Sequence, residues 1–154
     1  MMEASAEFAF VGRVALAAVI GFIIGWERER RGSQADDRTH ALVCLGAATV
    51  ISLGKEYYPA TTGHVVQGVI IGIGFLGSGM IFRNGTKVSG LTTAAGFWAT
   101  AAVGLVIGSG EYIVGILIAV LIFLVLEWEE IPYLNKIGHI TKDTPDPPPP
   151  GKPG

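Results

Sequence analysis

The sequence predicts an all-α membrane protein with five transmembrane helices. A spanning helix needs about 20 mainly apolar residues. Five stretches approach that length, at residues 8–26, 39–54, 65–82, 91–109 and 112–128. Charged residues make up 16% of the chain, against about 25% in soluble domains. All eight prolines lie outside these stretches, so each stretch can form an unbroken helix.

The five stretches place a transmembrane domain at residues 8–131, with the lipid bilayer as its first partner. Residues 1–7 form a short N-terminal tail, and residues 132–154 form a proline-rich tail that we expect to be disordered. The single cysteine, Cys44, excludes a disulfide-stapled scaffold. A net charge of −2 offers no basic surface for a phosphate backbone, so no nucleic-acid partner is expected.

Positive charge predicts the orientation of the helices. The first-to-second and third-to-fourth connections hold most of the basic residues near the stretches, namely Arg28, Arg30, Arg31, Arg38, Arg83 and Lys87. Basic residues are enriched in cytoplasmic connections. We therefore expect the N-terminus outside and the C-terminus, with its proline-rich tail, inside the cell.

An internal repeat covers the first two helix pairs. When the sequence is shifted by 53 residues, residues 20–50 align with residues 73–103 without a gap. Nine positions are then identical, through helix, connection and helix: Ile20/Ile73, Gly21/Gly74, Phe22/Phe75, Arg30/Arg83, Gly32/Gly85, Thr39/Thr92, Ala41/Ala94, Ala48/Ala101 and Val50/Val103. We expect a tandem two-helix repeat, related by a pseudo-twofold axis along the membrane normal.

Small residues at helical spacing predict where the helices pack closely. Gly21 and Gly25 are four residues apart and share one face of the first helix, while Gly96 and Gly104 belong to a similar seam in the fourth. The third stretch is richest in glycine, and we expect it to be a central, tightly packed helix. The alternative is a broken helix whose free carbonyl oxygens form an ion site. Its candidate packing glycines are Gly72, Gly74, Gly77 and Gly79.

Polar residues gather at the predicted cytoplasmic ends of the helices. Glu27 and Asp37 offer hard oxygen ligands of the kind that Mg²⁺ prefers. The neighbouring arginines equally predict salt bridges for Glu27, and Asp36 and Asp37 are suited to cap the second helix. His40 is either a hydrogen-bonded histidine at the helix end or a metal ligand. The candidate site comprises Glu27, Arg28, Asp37, Arg38, Thr39, His40, Asn84, Thr92 and Thr93. No catalytic triad, zinc spacing or phosphate loop accompanies them, so an enzyme is not expected.

Five blocks together resemble the MgtC/SapB family of bacterial inner-membrane proteins: residues 21–29, 38–43, 72–79, 90–95 with Trp98, and 102–104. The resemblance covers about residues 10–127 and implies a multi-pass, five-helix membrane domain. It also implies a link to Mg²⁺ limitation and, in some members, to virulence. The chain departs from the family pattern at Asp36-Asp37 and at Asn84, and its proline-rich tail stands where many members carry a cytoplasmic ACT-like domain.

The residues and the resemblance leave one principal hypothesis, one alternative and, third, a scaffold that binds no ligand. The first is a non-enzymatic protein that supports Mg²⁺ homeostasis by modulating another membrane protein, such as the F-type ATP synthase. The alternative is a transporter or channel for a divalent cation, with Mg²⁺ as the expected ion. Unsatisfied stripes of small residues further predict a homodimer.

Overall fold

The computed structural model describes residues 4–33 and 35–127. These residues form five α-helices: α1 (Ala4–Arg30), α2 (Asp37–Tyr57), α3 (Thr62–Ser78), α4 (Leu91–Gly108) and α5 (Tyr112–Leu126). A 3₁₀ turn, Pro59–Thr61, leads into α3. The all-helical prediction is confirmed. The expected tail at residues 132–154 and the expected end of the fifth stretch at Trp128 lie outside the described residues.

A short β-hairpin, which the sequence did not lead us to expect, joins α3 to α4. Its strands are β1 (Phe82–Asn84) and β2 (Lys87–Ser89), paired antiparallel with Asn84 opposite Lys87. The turn uses Gly85 at φ 62°, in the left-handed region that glycine adopts without steric cost. Because Asn84 pairs with Lys87, the loop is Gly85-Thr86, and glycine at the first loop position is typical of a two-residue hairpin.

Three helical segments of the described chain have the length and apolar composition to cross a membrane: Ala4–Arg30, Pro59–Ser78 and Leu91–Gly108. The fifth helix, α5, has no charged residue but has 15 residues in the described part of the chain. The second helix, α2, has 21 residues and carries charged groups in its first and last turns, which shortens its apolar part. The helical, apolar architecture is that of a membrane protein.

The core lies where α1, α2 and α4 meet. The side chains of Phe97, Val103 and Ile107 on α4 are fully buried, as are Cys44 and Ala48 on α2. The expectation that the third helix is central is wrong, since α3 buries one described residue whereas α4 buries ten. The physical reason is that most glycines of α3 lie on faces that no other helix of the described residues covers.

The two halves of the sequence repeat bury corresponding positions in α2 and α4. Each of the seven buried residues of α2 has a buried counterpart 53 positions later in α4: His40/Thr93, Cys44/Phe97, Ala47/Thr100, Ala48/Ala101, Ile51/Gly104, Ser52/Leu105 and Gly54/Ile107. The connections also agree, because Gly32 and Gly85 both have positive φ, at 72° and 62°. This correspondence supports the expected repeat.

Candidate functional site

The polar residues that the structure brings together lie where α1 and α5 end and α2 begins. We call this region the charged end and define it by Glu27, Arg31, Asp36, His40 and Glu127. It forms because Gly25 lets the last turns of α1 approach the start of α2. A Cβ atom on Gly25 would lie 2.6 Å from the Asp37 Cα and 2.8 Å from the His40 Cβ.

Arg31 joins two helices at the charged end. Its Nε donates to Glu27 Oε1 at 2.6 Å, one helical turn away, and its Nη2 lies 2.6 Å from Glu127 Oε1. The three side chains are each about one-fifth exposed, so water screens them less than it would a surface pair. The guanidinium therefore fixes the end of α1 against the end of α5.

Asp36 caps α2. Its Oδ1 accepts a hydrogen bond from the Thr39 backbone N–H at 2.8 Å and another from the Thr39 hydroxyl. These two hydrogen bonds stabilise the carboxylate and hold the pKa of Asp36 below its usual value. The capping role expected for this pair of aspartates thus lies with Asp36. The backbone N–H of Asp37 donates to Glu29 Oε2 at a long 3.5 Å.

His40 is buried at the junction of α1, α2 and α4. Its Nδ1 lies 3.0 Å from the Asp36 carbonyl oxygen, and its ring meets Phe97 edge-on with centroids 5.6 Å apart. Its Nε2 has no hydrogen-bond partner among the described residues. This geometry is that of a hydrogen-bonded histidine at a helix end, one of the two interpretations that the sequence left open.

The remaining predicted site residues separate into two groups. Thr93 is buried, and its hydroxyl accepts a hydrogen bond from Ser33 at 3.3 Å, which links the α1–α2 connection to α4. Arg28 is half-buried, and its carbonyl oxygen accepts from the Ser33 N–H. The residues of the other group are exposed: Arg38 on α2, Asn84 in the hairpin and Thr92 at the start of α4.

The geometry of the charged end does not favour a Mg²⁺ site at Glu27 and Asp37. The Glu27 carboxylate is held by Arg31, so a cation would have to compete with a guanidinium for the same oxygen. No group of three or more His, Cys, Asp or Glu side chains that could hold a metal ion occurs in the described parts of the chain. The metal assignment for these two residues stays a prediction.

Two members of the charged end were missed by reasoning from the sequence. Arg31 counted there only as a positive charge, although Glu27 stands four residues before it, a spacing that allows an ion pair on one helix face. Glu127 lies 96 residues further on, and nothing in a single sequence signals a contact across that distance.

The predicted packing glycines also separate. A Cβ on Gly21 would lie 2.6 Å from the His40 carbonyl oxygen, and one on Gly104 would overlap the Cys44 carbonyl oxygen. Gly96 and Gly77 are in ordinary contact with Leu126 and Ala94. The other predicted packing glycines are Gly72 and Gly74, where a Cβ would meet no atom within 4 Å, and Gly79, where it would lie 3.3 Å from the Leu76 carbonyl oxygen.

Comparison with known proteins identifies the family. The chain is 39% identical over 127 residues to the putative magnesium transporter YhiD of Escherichia coli K12, covering 77% of this chain and 59% of that protein. It is 38% identical over 112 residues to protein MgtC of Salmonella typhimurium, covering 73% and 48% respectively. For protein SrpB of Synechococcus elongatus the identity is 40% over 120 residues, covering 68% and 66%.

The chain thus spans about half to two-thirds of the length of these relatives. No solved structure matches it. The model of the MgtC family matches residues 14–131, which include all the helices from α2 to α5 and most of α1. The resemblance inferred from the sequence blocks is confirmed, and the chain belongs to the MgtC family.

Proposed function

We propose that the chain is a non-enzymatic, bacterial inner-membrane protein that supports Mg²⁺ homeostasis by binding and modulating another membrane protein. The family places it among proteins of which one is named a putative magnesium transporter. The F-type ATP synthase is the first candidate for the partner, as the sequence resemblance implied. The observation that carries the proposal is the pairing of the acidic groups at the charged end.

At the charged end, Glu27 and Glu127 share Arg31, and Asp36 is occupied as a helix cap. Carboxylates used in this way fix helix ends and are not free to replace the water shell of Mg²⁺, which gives up its waters reluctantly. The arrangement therefore supports a structural role for these acids and a regulatory role for the protein.

The clefts between the helices support the same proposal. Three clefts, between α2 and α3, α1 and α5, and α4 and α5, are lined by apolar side chains and glycines. Among the described residues that line them, only Thr39 and Thr92 carry polar side chains. Such surfaces suit the apolar side chains of other transmembrane helices, whereas a dication needs oxygen ligands along its path.

A Mg²⁺ transporter is the second candidate, and the repeat favours it. Transporters commonly consist of repeated helix units around a substrate site, and α2 and α4 bury corresponding positions in this chain. In that case the pathway would follow the pseudo-twofold axis between the two helix pairs.

Two measurements on the full chain separate the candidates. The first is growth at limiting Mg²⁺ of a bacterium that lacks its own MgtC-family protein, with and without this chain. The second is Mg²⁺ flux into proteoliposomes that contain the purified protein. A regulator restores growth without flux and co-purifies with a defined membrane complex, which we would test with ATP synthase. Flux that is lost in the Glu27→Gln/Asp37→Asn double variant would overturn the proposal in favour of transport.

We also propose that all five helices span the membrane, with the N-terminus outside and the C-terminus inside. A helix of 21 residues such as α2 is about 31 Å long at 1.5 Å per residue, which matches a hydrocarbon core of about 30 Å. Single cysteines at Lys87 and Glu56, in a Cys44→Ala background, test this topology in intact cells. An impermeant thiol reagent should label Glu56→Cys and leave Lys87→Cys unlabelled, and the reverse pattern would contradict the orientation.

A further inference from the structure

A groove of 580 Å³ lies open between α2 and α3. Its walls include Leu42, Val43 and Gly46 on α2, and Gly72, Ile73 and Leu76 on α3. The positions of Gly46 and Gly72 would allow an incoming helix to approach closely, because a Cβ at either position would meet no atom within 4 Å. The groove is thus an apolar surface with room for the side chains of another helix.

The sequence repeat relates this groove to the surface on which α5 lies. The clefts beside α5 are lined by Thr92, Ala95, Gly96 and Ala99 on α4, and by Ile20 and Ile23 on α1. A shift of 53 residues converts these six into residues that all line the open groove: Thr39, Leu42, Val43, Gly46, Ile73 and Leu76. The groove is therefore a second version of the α5 surface, in a chain where α5 lies outside the repeat.

The α2–α3 groove lacks the two arginines that hold α5 in place. Arg13 donates to the Tyr112 hydroxyl at 3.2 Å, and Arg31 pairs with Glu127 at 2.6 Å, so α5 is fixed at both ends. The positions that correspond to the two arginines are Val66 and Asn84. Neither residue carries the positive charge that holds the tyrosine and the glutamate of α5, so the groove fits a helix that binds by apolar packing.

The outer face of α3 has that character. Gly68, Ile71, Gly72 and Phe75 follow the spacing of one helix face, and the side chains of Ile71 and Phe75 are 65% and 78% exposed. No atom lies within 4 Å of a Cβ position on Gly68 or Gly72. Two large side chains thus stand beside two glycine gaps on the same helix, an arrangement that favours close packing against an identical helix.

We propose that the α2–α3 groove binds α3 of a second copy of this chain. In a dimer with a twofold axis along the membrane normal, Ile71 and Phe75 of each copy pack over the glycines of the other. The contact is self-complementary, so it closes with two copies. A contact between α5 of one copy and the groove of the next would join two different faces and would continue from copy to copy.

The test is the oligomeric state of the full chain in nanodiscs and its response to two matched substitutions. Gly72→Leu fills the proposed contact, and Gly74→Leu adds the same side chain elsewhere on α3. Both positions are free of neighbours within 4 Å, so the fold of each protomer tolerates both. We expect wild type and Gly74→Leu to be dimers and the dimer fraction of Gly72→Leu to fall at least tenfold.

Disulfide crosslinking in native membranes provides a second measurement, in a Cys44→Ala background. Phe75→Cys should crosslink across the twofold axis. Leu117→Cys should not, although Leu117 on α5 is also an exposed apolar residue, with 59% of its surface accessible. A monomeric wild type, equal crosslinking at both positions, or a stoichiometric helix of a different protein in the groove would each overturn the proposal.

Discussion

The two helix pairs of the repeat share sequence but differ in how closely they pack. In the first pair, Gly21 and Gly25 of α1 are buried against α2, at distances that leave no room for a methyl group. The corresponding positions on α3 are Gly74 and Ser78, and both are exposed. The second members of the pairs, α2 and α4, bury corresponding residues against each other. The repeat is therefore preserved at the centre of the molecule and lost at its edge.

The difference shows that a glycine motif marks a packing face only where a neighbouring helix covers it. The surface between α1 and α4 is covered by α5, which Arg13 and Arg31 fix to α1. The equivalent surface between α2 and α3 has neither arginine, and no helix of the described chain covers it. Glycines on the uncovered face of α3 remain available for contacts with a second protomer, as proposed for Gly72.

The asymmetry between the two pairs is tested most directly by placing the same side chain at the two equivalent glycines, Gly21 and Gly74. Gly21→Leu forces a side chain into the His40 backbone and the Cys44 side chain, at 2.6 and 2.7 Å from the new Cβ. Overpacking of this kind costs about 3 kcal/mol. We expect unfolding in an SDS titration to begin at a clearly lower detergent fraction than for wild type. Gly74→Leu, where the Cβ meets open space, should unfold like wild type, and equal losses would contradict the asymmetry.

Helix positions could be predicted from the sequence, but the ranking of the helices in the core could not. Apolar length and proline placement locate all five helices to within a few residues at most ends. The third stretch is the richest in glycine, yet α4 takes the central place, because Val103 and Ile107 pack with residues of α1, α2 and α5. Phe97 of α4 is buried against His40 of α2. The glycine content of a helix indicates how closely another helix could approach it. It does not indicate whether a neighbouring helix is present.

The charged end offers a second test of the asymmetry. Arg31→Asn gives the first connection the residue that stands at the equivalent position 84. It removes two charge-assisted contacts of 2.6 Å, and hydrogen bonds to charged groups contribute about 2 kcal/mol each at most sites. We expect a loss of about 2 kcal/mol in the free energy of unfolding, which is less than the sum of the two contacts because the freed carboxylates regain water.

A double-mutant cycle with Glu127→Gln should show that the two losses are not additive, because both substitutions remove the same contact. The exposed Arg38 provides the control, and Arg38→Asn should leave stability unchanged. Additive losses would mean that the ion pair between Arg31 and Glu127 contributes nothing to stability.

The two connections should respond alike at their glycines, where the repeat is preserved. Gly32 and Gly85 have φ values of 72° and 62°, and a Cβ on either would meet no atom within 4 Å. Alanine at each position therefore adds backbone strain alone, of about 1 kcal/mol. Asparagine should cost less, since it tolerates the left-handed region better than alanine does. Equal, small losses in thermal stability for Gly32→Ala and Gly85→Ala would extend the repeat to its connections, and unequal losses would confine it to the helices.

The contacts between the residues of the charged end were less predictable from the sequence than the location of the charged end. The sequence places Glu27, Asp36 and His40 near one membrane surface, and the structure joins them to one helix junction. The partner Glu127 could not be foreseen, because it comes from the end of α5, which has no counterpart in the repeat. Asp36 and Asp37 carry the same chemistry in sequence, and only the backbone geometry assigns the cap to Asp36.

The smallest effect concerns the starts of α2 and α4. Asp36 caps α2, whereas its repeat equivalent Ser89 precedes Gly90, the N-cap of α4, where no side chain makes a capping hydrogen bond. Asp36→Ala should lower the thermal midpoint by a few degrees, and Ser89→Ala should leave it unchanged.

The pH dependence of stability tests the same difference between the first turns of α2 and α4. Because the folded state lowers the pKa of Asp36, the ionised cap stabilises the fold fully above the ordinary pKa of an aspartate. That contribution is lost as the pH falls through the lowered value. Asparagine caps nearly as well as aspartate but does not titrate in this range. Asp36→Asn should therefore keep the cap at neutral pH and remove this part of the acid sensitivity. An unchanged acid transition in Asp36→Asn would show that the ionisation of the cap does not contribute to stability, and that the cap of α2 acts through its hydrogen bonds alone.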